Sequence, residues 1–320
     1  MEKVYIAYAC DDNYIEQTGI SLISLFENNK HIKKLEVFII DDGIEKKNII
    51  KIINLANSYN RKLNIIPFDN LCSDLCISHS GRHIRTIYAK IFFGRLDNKI
   101  KKILYLDSDV VINDKIDEFW NTDLTNYLVA GVETISSDEL KSKIGLKSKH
   151  PQINDGVLLM NLEAWRKNNI EAQCIEYINK WKGMPPVLSE GTISYICRDR
   201  ILLVNPKFNL SSAFFYMKTK DIEKSIKKNY YSQNVLDKAT QKPVIIHYLC
   251  GFYNRPWNKG CTHPLKNRYL YYKSLSPWKD KKLGKKKLPL KLRIVGVLFQ
   301  LLPYEKFLKL QRSVNKISKE

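Results

Sequence analysis

The 320-residue chain lacks the common nucleotide fingerprints: neither G-x-G-x-x-G nor G-K-[ST] occurs in it. That excludes the usual dinucleotide loop and the P-loop, so a bound nucleotide must be held by other means. No apolar run reaches the ~18 residues needed to span a bilayer. The apolar stretch within "MEKVYIAYACDDN" is too short and too soon interrupted for a secretory signal. The seven cysteines, an odd number, show no disulfide-like spacing, which predicts a reducing cytoplasm. Acids are scarce too: 33 Asp and Glu stand against 53 Lys and Arg, a net charge of +20. Half of that excess falls in residues 279–320, where 13 basic residues meet 3 acids. So uneven a charge calls for a local explanation.

What is present reads as globular, with 44% apolar and 11% aromatic residues. The first half alternates strand and helix patterns. "KVYIAYA", "LEVFII" and "KLNIIPF" are strands; Ile20, Leu22, Ile23, Leu25 and Phe26 form one helical stripe, and Ile49, Ile50, Ile53 and Ala56 a second. A helix around Ile84 to Leu96 leads into the strand "KKILYL". This β-α-β-α-β order predicts a Rossmann-like α/β fold, a mostly parallel sheet with helices on both faces. In the second half "INDGVLLMNLEAWRKNNI" reads as turn, strand and helix, and "ILLVNPKFN" and "PVIIHYL" as further strands. "HPLKNRYLYYKSLSPW" closes the compact part, giving a domain over 1–278 and a basic amphipathic tail over 279–320.

Such sheets bind ligands at the carboxyl ends of their strands. Three acidic clusters sit there: Asp11-Asp12, Asp41-Asp42, and Asp107 with Asp109. In "KKILYLDSDVVIND" the last pair lies between two apolar runs. Residues i and i+2 of a strand point to one side, so these carboxylates converge and repel unless a cation lies between them. Oxygen ligands favour Mg²⁺ or Mn²⁺, which would neutralise a diphosphate leaving group. The other readings of the pair are a strand ending in a turn, or the D-x-D-x-[TV] motif of aspartyl-phosphate phosphatases. The latter normally opens a chain and needs an acidic pair downstream; here 106 residues precede it and the Asp-Asp pairs lie upstream.

Taken together, the motifs resemble glycosyltransferase family 8, retaining metal-dependent sugar transferases of the GT-A fold that include glycogenin and bacterial lipopolysaccharide galactosyl- and glucosyltransferases. The likeness runs from about residue 3 to 278. In "ACDDNY" it implies that Ala9, Asp11, Asn13 and Tyr14 contact the uridine of a UDP-sugar. In "IRTIYAKIFFGRL" it places Lys90 where relatives often carry Arg, as a donor-binding and catalytic cation. In "LYLDSDVVI" it makes Asp107 and Asp109 metal ligands and sets Ser108 near the ribose. "PQINDGVLLMNL" turns Asn154, Asp155 and Gly156 towards the donor sugar, with Asp155 departing from the usual small residue. "LSEGTISYI" carries Ser189 where relatives have Asp, followed by Glu190 as the candidate that supports or attacks the anomeric carbon. "IIHYLCGFYNRPW" supplies His247 as third metal ligand, Gly251 for close approach to phosphate, and Arg255, where Lys is common, for the diphosphate. An imidazole ligand favours Mn²⁺, with Mg²⁺ as the alternative.

The implied function is transfer of glucose or galactose from a UDP-hexose to a glycan or lipid-linked oligosaccharide in surface-glycan synthesis. The alternative is a catalytically degenerate sugar-nucleotide binder. Interleaved Leu, Ile and Phe make the tail an anchor for an anionic membrane surface rather than a nucleic-acid strip, so the expected location is the inner face of the cell membrane. Cys72, Cys76, His79 and His83 resemble a zinc site, but their spacing is wrong for a finger.

Overall fold

Apolar side chains point alternately up and down along the central strands, and both directions are buried. In β1 (Val4–Cys10), Ile6, Tyr8 and Cys10 face one core while Ala7 and Ala9 face another. In β4 (Lys102–Leu106), Leu104 and Leu106 join the first core and Ile103 and Tyr105 the second. A sheet apolar on both sides needs helices on both sides. Each fully buried Leu, Ile or Phe contributes roughly 1.5–3 kcal/mol.

The computed structural model describes residues 3–73, 82–304 and 306–307. The other strands are β2 (Leu35–Asp41), β3 (Lys62–Pro67), β5 (Val110–Ile112), β6 (Val129–Gly131), β7 (Val157–Asn161), β8 (Ile201–Leu203), β9 (Leu210–Ser211) and β10 (Ile245–His247). The large sheet has the order β3-β2-β1-β4-β7-β6-β8, and only β7 runs against the others. A small sheet, β5-β10-β9, stands apart from it. The mostly parallel α/β architecture is therefore the one expected from the sequence.

Two local expectations need correction. The helix foreseen around Ile84 to Leu96 is an α-helix over Arg82–Tyr88 followed by a tighter 3₁₀ segment over Ala89–Arg95. The helix Lys46–Ser58 buries Ile52, Leu55 and Ala56, whereas Ile50 and Ile53 are 57% and 40% exposed. Isoleucine lies on both sides of that helix, so its apolar stripe could be drawn on either.

Past the helix Lys266–Ser274 the chain stays tied down. Trp278 packs on the buried helix Ile15–Asn28, where a Cβ on Gly19 would lie 2.4 Å from the indole. The buried Lys273 amine donates to the carbonyls of Trp278, Lys279 and Lys281 at 2.6, 3.1 and 2.7 Å. Residues 284–286 lie along 254–259, and the helix Leu290–Leu301 follows. No helix among the described residues is long and apolar enough to cross a membrane.

Candidate active site

Strand register assembles the site. Leu106, the last residue of β4, pairs with Val157 of β7, and the next amide, Asp107 N–H, donates to Gly156 O at 2.7 Å. The chain then turns through Ser108 and leaves the large sheet for the small one. There Val110 of β5 pairs with His247 of β10, so a histidine 138 residues distant lands beside Asp109.

Ligand atoms of Asp107, Asp109 and His247 lie within 4.8 Å of one another. His247 Nε2 is 3.0 Å from Asp109 Oδ1 and 3.9 Å from Asp107 Oδ2. Its Nδ1–H donates to Asn209 Oδ1 at 2.9 Å, so Nε2, which faces the carboxylates, is the nitrogen that would give up its proton to a cation. Burial works against charge on His247, but Asp109 and Asp107 outweigh it and raise its pKa. Burial likewise opposes ionisation of Asp109, yet His247 and Arg255 hold its carboxyl well below the usual range. Tyr105 OH donates to Asp107 Oδ1 at 2.6 Å.

The donor set fits a hard or borderline divalent cation, with two carboxylates and one imidazole. Gly156 supplies independent support. A Cβ there would lie 2.4 Å from His247 Cε1 and 2.5 Å from Asp107 Oδ2, so only glycine leaves the three ligands room to converge. Asp12 and Asp41, from the other two acidic clusters, do turn chemistry instead. Asp12 accepts from Glu45 N and Asn48 Nδ2, and Asp41 from Gly43 N and Ile44 N.

A cleft of about 200 Å³ opens beside Asp107 and Asp109, walled by Ala9, Asp11, Tyr14 and Ser108, with Thr86 and Ile87 opposite. Asn13 is exposed and donates through its backbone and side-chain nitrogens to the Asp11 carboxylate, both at 3.0 Å. Thr18 Oγ1 donates to Ser108 Oγ at 2.8 Å and fixes that hydroxyl. Arg255 pairs with Asp109 and lies over the Trp257 ring, whose edge meets Tyr14.

On the far side of Gly156 lies a second polar cluster. The buried Lys90 amine sits 2.9 Å from Asp155 Oδ2, donates to Asp155 O at 3.0 Å, and rests over the Tyr105 ring. Ser189 Oγ donates to the same Asp155 Oδ2 at 2.5 Å. Glu190 accepts from Gln152 Nε2 at 2.7 Å and from Asn154 Nδ2 at 3.0 Å. Burial, with Asp155 nearby, pushes its pKa up to about 8.

The family model Glycosyl transferase family 8 matches residues 5–261. The chain belongs to this family. It is 24% identical over 282 residues to General stress protein A of Bacillus subtilis, covering 87% of this chain and 95% of that one. To the lipopolysaccharide 1,2-glucosyltransferase of Escherichia coli K12 it is 24% identical over 287 residues, 87% and 80% of the two chains. The galactosyltransferase LgtC, solved with donor and acceptor sugar analogues, superposes with a TM-score of 0.67 at 22% identity, covering 91% and 99%. The fold is GT-A, and the chain is a glycosyltransferase by family.

Measured against this family 8 frame, the residues foreseen from sequence fall in three places. Ala9, Asp11, Tyr14, Asp107, Ser108 and Asp109 share the cleft, and His247, Arg255 and Gly156 adjoin it. Lys90, Asn154, Asp155 and Glu190 form the cluster beyond. Gly251 lies on the loop after β10 at φ +44°, where a Cβ would sit 2.8 Å from Tyr216 OH. Sequence reasoning missed Tyr105, Gln152 and Asn209. The first two stand two residues before Asp107 and Asn154 and could have been found by proximity. Asn209, which also donates to Asn154 Oδ1 at 2.8 Å, carried no signal at all. Of the zinc candidates, Cys72 is buried in the core beneath β1 and β2, Cys76 and His79 lie outside the described residues, and so does the side chain of His83.

The raised pKa of Glu190 has a thermodynamic consequence. Between its ordinary value of 4.5 and about 8 the folded chain holds a proton that the unfolded chain releases. Stability therefore falls as pH rises through that window. Glu190→Gln, which mimics the protonated form, is expected to match the wild type near pH 5 and to gain in Tm relative to it as pH approaches 8. Parallel melting curves across that range would refute the shift.

Proposed function

We propose that this family 8 glycosyltransferase moves a hexose, glucose or galactose, from a UDP-sugar to a surface-glycan acceptor with retention at the anomeric carbon. The observation that carries the reading is the convergence of Asp107, Asp109 and His247 around the space Gly156 keeps clear. Those three would hold Mn²⁺, or Mg²⁺ less favourably given the imidazole. When bound, such an ion supplies neutralisation of charge developing on the departing diphosphate.

The chain's own residues do the remainder. Asp11, Asn13 and Tyr14 bind the uridine at the end of β1, and Ser108, fixed by Thr18, meets the ribose. Arg255, paired with Asp109, would also reach the diphosphate, a charge-assisted contact that strengthens as the leaving group gains charge. Gly251 lets backbone approach the same phosphates. Lys90, Asp155 and Ser189 form a hydrogen-bonded unit that orients sugar hydroxyls. Glu190 has both oxygens engaged by Gln152 and Asn154, and burial raises its pKa to about 8, both of which make it a poor nucleophile. That favours same-face attack guided by the leaving phosphate over a glycosyl-enzyme at Glu190. A cavity of about 250 Å³ bounded by Glu133, Asn154, Asn209, Phe214 and Leu249 offers the acceptor a place beside this cluster. Residues 279–320 hold the enzyme on the inner, anionic face of the membrane, where lipid-linked acceptors lie.

Thermal shift with UDP-sugars, paired with UDP-release assays, tests the reading. UDP-glucose or UDP-galactose is expected to raise Tm only with Mn²⁺ present, since a ligand at 100 times its Kd stabilises by about 2.7 kcal/mol. Binding without UDP release would make the chain a degenerate sugar-nucleotide binder. Absence of both binding and release would overturn the proposal.

A further inference from the structure

Away from the cleft, between the loop after β10 and the helix Leu290–Leu301, lies a cavity of about 690 Å³. Lys259, Lys287 and Arg293 line it, together with Phe252, Leu288 and Val297. Among the described residues that line it there is no carboxylate, and none of the three cations is paired with one. All three cations are exposed, and grouped around an apolar floor they set up a local positive potential that attracts an anion.

The wall is built rather than fortuitous. Lys259 N donates to Gly284 O and Gly284 N to Trp257 O, both at 2.8 Å, and the buried Asn254 side chain donates to Lys286 O at 2.7 Å. These bonds lock the lysine-bearing segment against the loop. A Cβ on Gly284 would lie 2.6 Å from Asn258 Oδ1, so the close approach depends on glycine. The helix is seated through Gly296, where a Cβ would meet Phe252 at 3.2 Å, and through Phe299, whose ring lies 5.3 Å from that of Phe252.

Leu290, Ile294, Val297 and Leu301 follow one another at spacings of four, three and four residues, so they form one face of the helix. All four are more than half exposed. Val297 belongs to both this stripe and the cavity wall. Cationic pocket and bare apolar stripe therefore adjoin, which is the chemistry of a phosphate head on a hydrocarbon chain.

We propose that this cavity is a binding site for the phosphate headgroup of a membrane lipid, with the acyl or prenyl chain alongside the exposed stripe. The inference rests on the reading of residues 279–320 as membrane-facing, and it goes further by naming a discrete site. Diffuse attraction depends on the number of charges near the surface, about 1 kcal/mol each, and not on which lysines carry them. A pocket depends on which.

The test is vesicle flotation of the full chain on phosphatidylcholine alone and on phosphatidylcholine with phosphatidylglycerol or phosphatidic acid. K287Q/R293Q is compared with K282Q/K285Q, which removes two charges outside the cavity. Thermal melts and circular dichroism without vesicles report that both variants are folded. We expect K287Q/R293Q to weaken binding to anionic vesicles about tenfold more than the control pair. Equal losses would sink the pocket while sparing the membrane reading. Failure of the wild type to float with anionic vesicles would sink both. Displacement by inorganic phosphate at matched concentration would mark a soluble-anion site and overturn the lipid assignment.

Discussion

Asp109→Asn is expected to lower transfer about 10³-fold, the scale set by loss of one preorganised charge-stabilising contact and equal to ~4 kcal/mol of transition-state stabilisation. Asp109 is the hub of the site: it touches His247 through one oxygen and Arg255 through the other. The amide keeps the size but removes the negative charge that His247 and Arg255 stabilise against burial. A neutral oxygen ligates a divalent cation poorly, and Arg255 loses the carboxylate partner that holds it beside the proposed diphosphate site. The fold should survive, because the strand contacts here are made by the Asp109 backbone, whose carbonyl accepts from Tyr248 N at 3.0 Å. Metal-dependent UDP release and a thermal melt on the same sample decide the matter. Near-normal turnover from a folded variant would refute the metal role, whereas an unfolded variant would move the residue into the architecture instead.

Gly156→Ala should be as damaging by a different route. The added methyl would lie well inside contact distance of both His247 Cε1 and Asp107 Oδ2. Neither neighbour is a free flexible end. The imidazole is held at Nδ1 by Asn209, and the Asp107 carboxylate by Tyr105. One ligand must leave its place, so metal affinity is expected to fall by 10²-fold or more, beyond the ~10–100-fold usual for disturbing a ligand's orienting partner. Overpacking of this kind also costs roughly 1–3 kcal/mol of stability. Isothermal titration with Mn²⁺ gives the first quantity and denaturant unfolding the second. A variant that binds Mn²⁺ like the wild type would show that the three side chains do not share one ion.

Much of this was legible in the chain because the informative residues are neighbours in sequence. Asp107 and Asp109 stand side by side between apolar runs, and "INDGVLL" and "IIHYL" carry their residues next to recognisable strands. What could not be read is what depends on pairing across the fold. Asp155 and Ser189 each look like a departure from the family pattern, yet they are one hydrogen-bonded unit at 2.5 Å, with Lys90 on the same oxygen. The carboxylate missing at 189 is present at 155. Asn209 is an ordinary asparagine until the register of β9 on β10 brings it to His247. Gly156 is visible as glycine, but its reason is steric and exists only in three dimensions. The face of the helix Lys46–Ser58 was misjudged because isoleucine occupies both its sides.

Asp107 directly follows a strand of the large sheet, whereas His247 ends one of the small sheet, and the two meet between the sheets. An ion held by both would be a rivet as well as a reagent. Stripping it with a chelator would silence the enzyme and unfasten the seam together, so loss of cohesion and loss of chemistry should share a single titration curve.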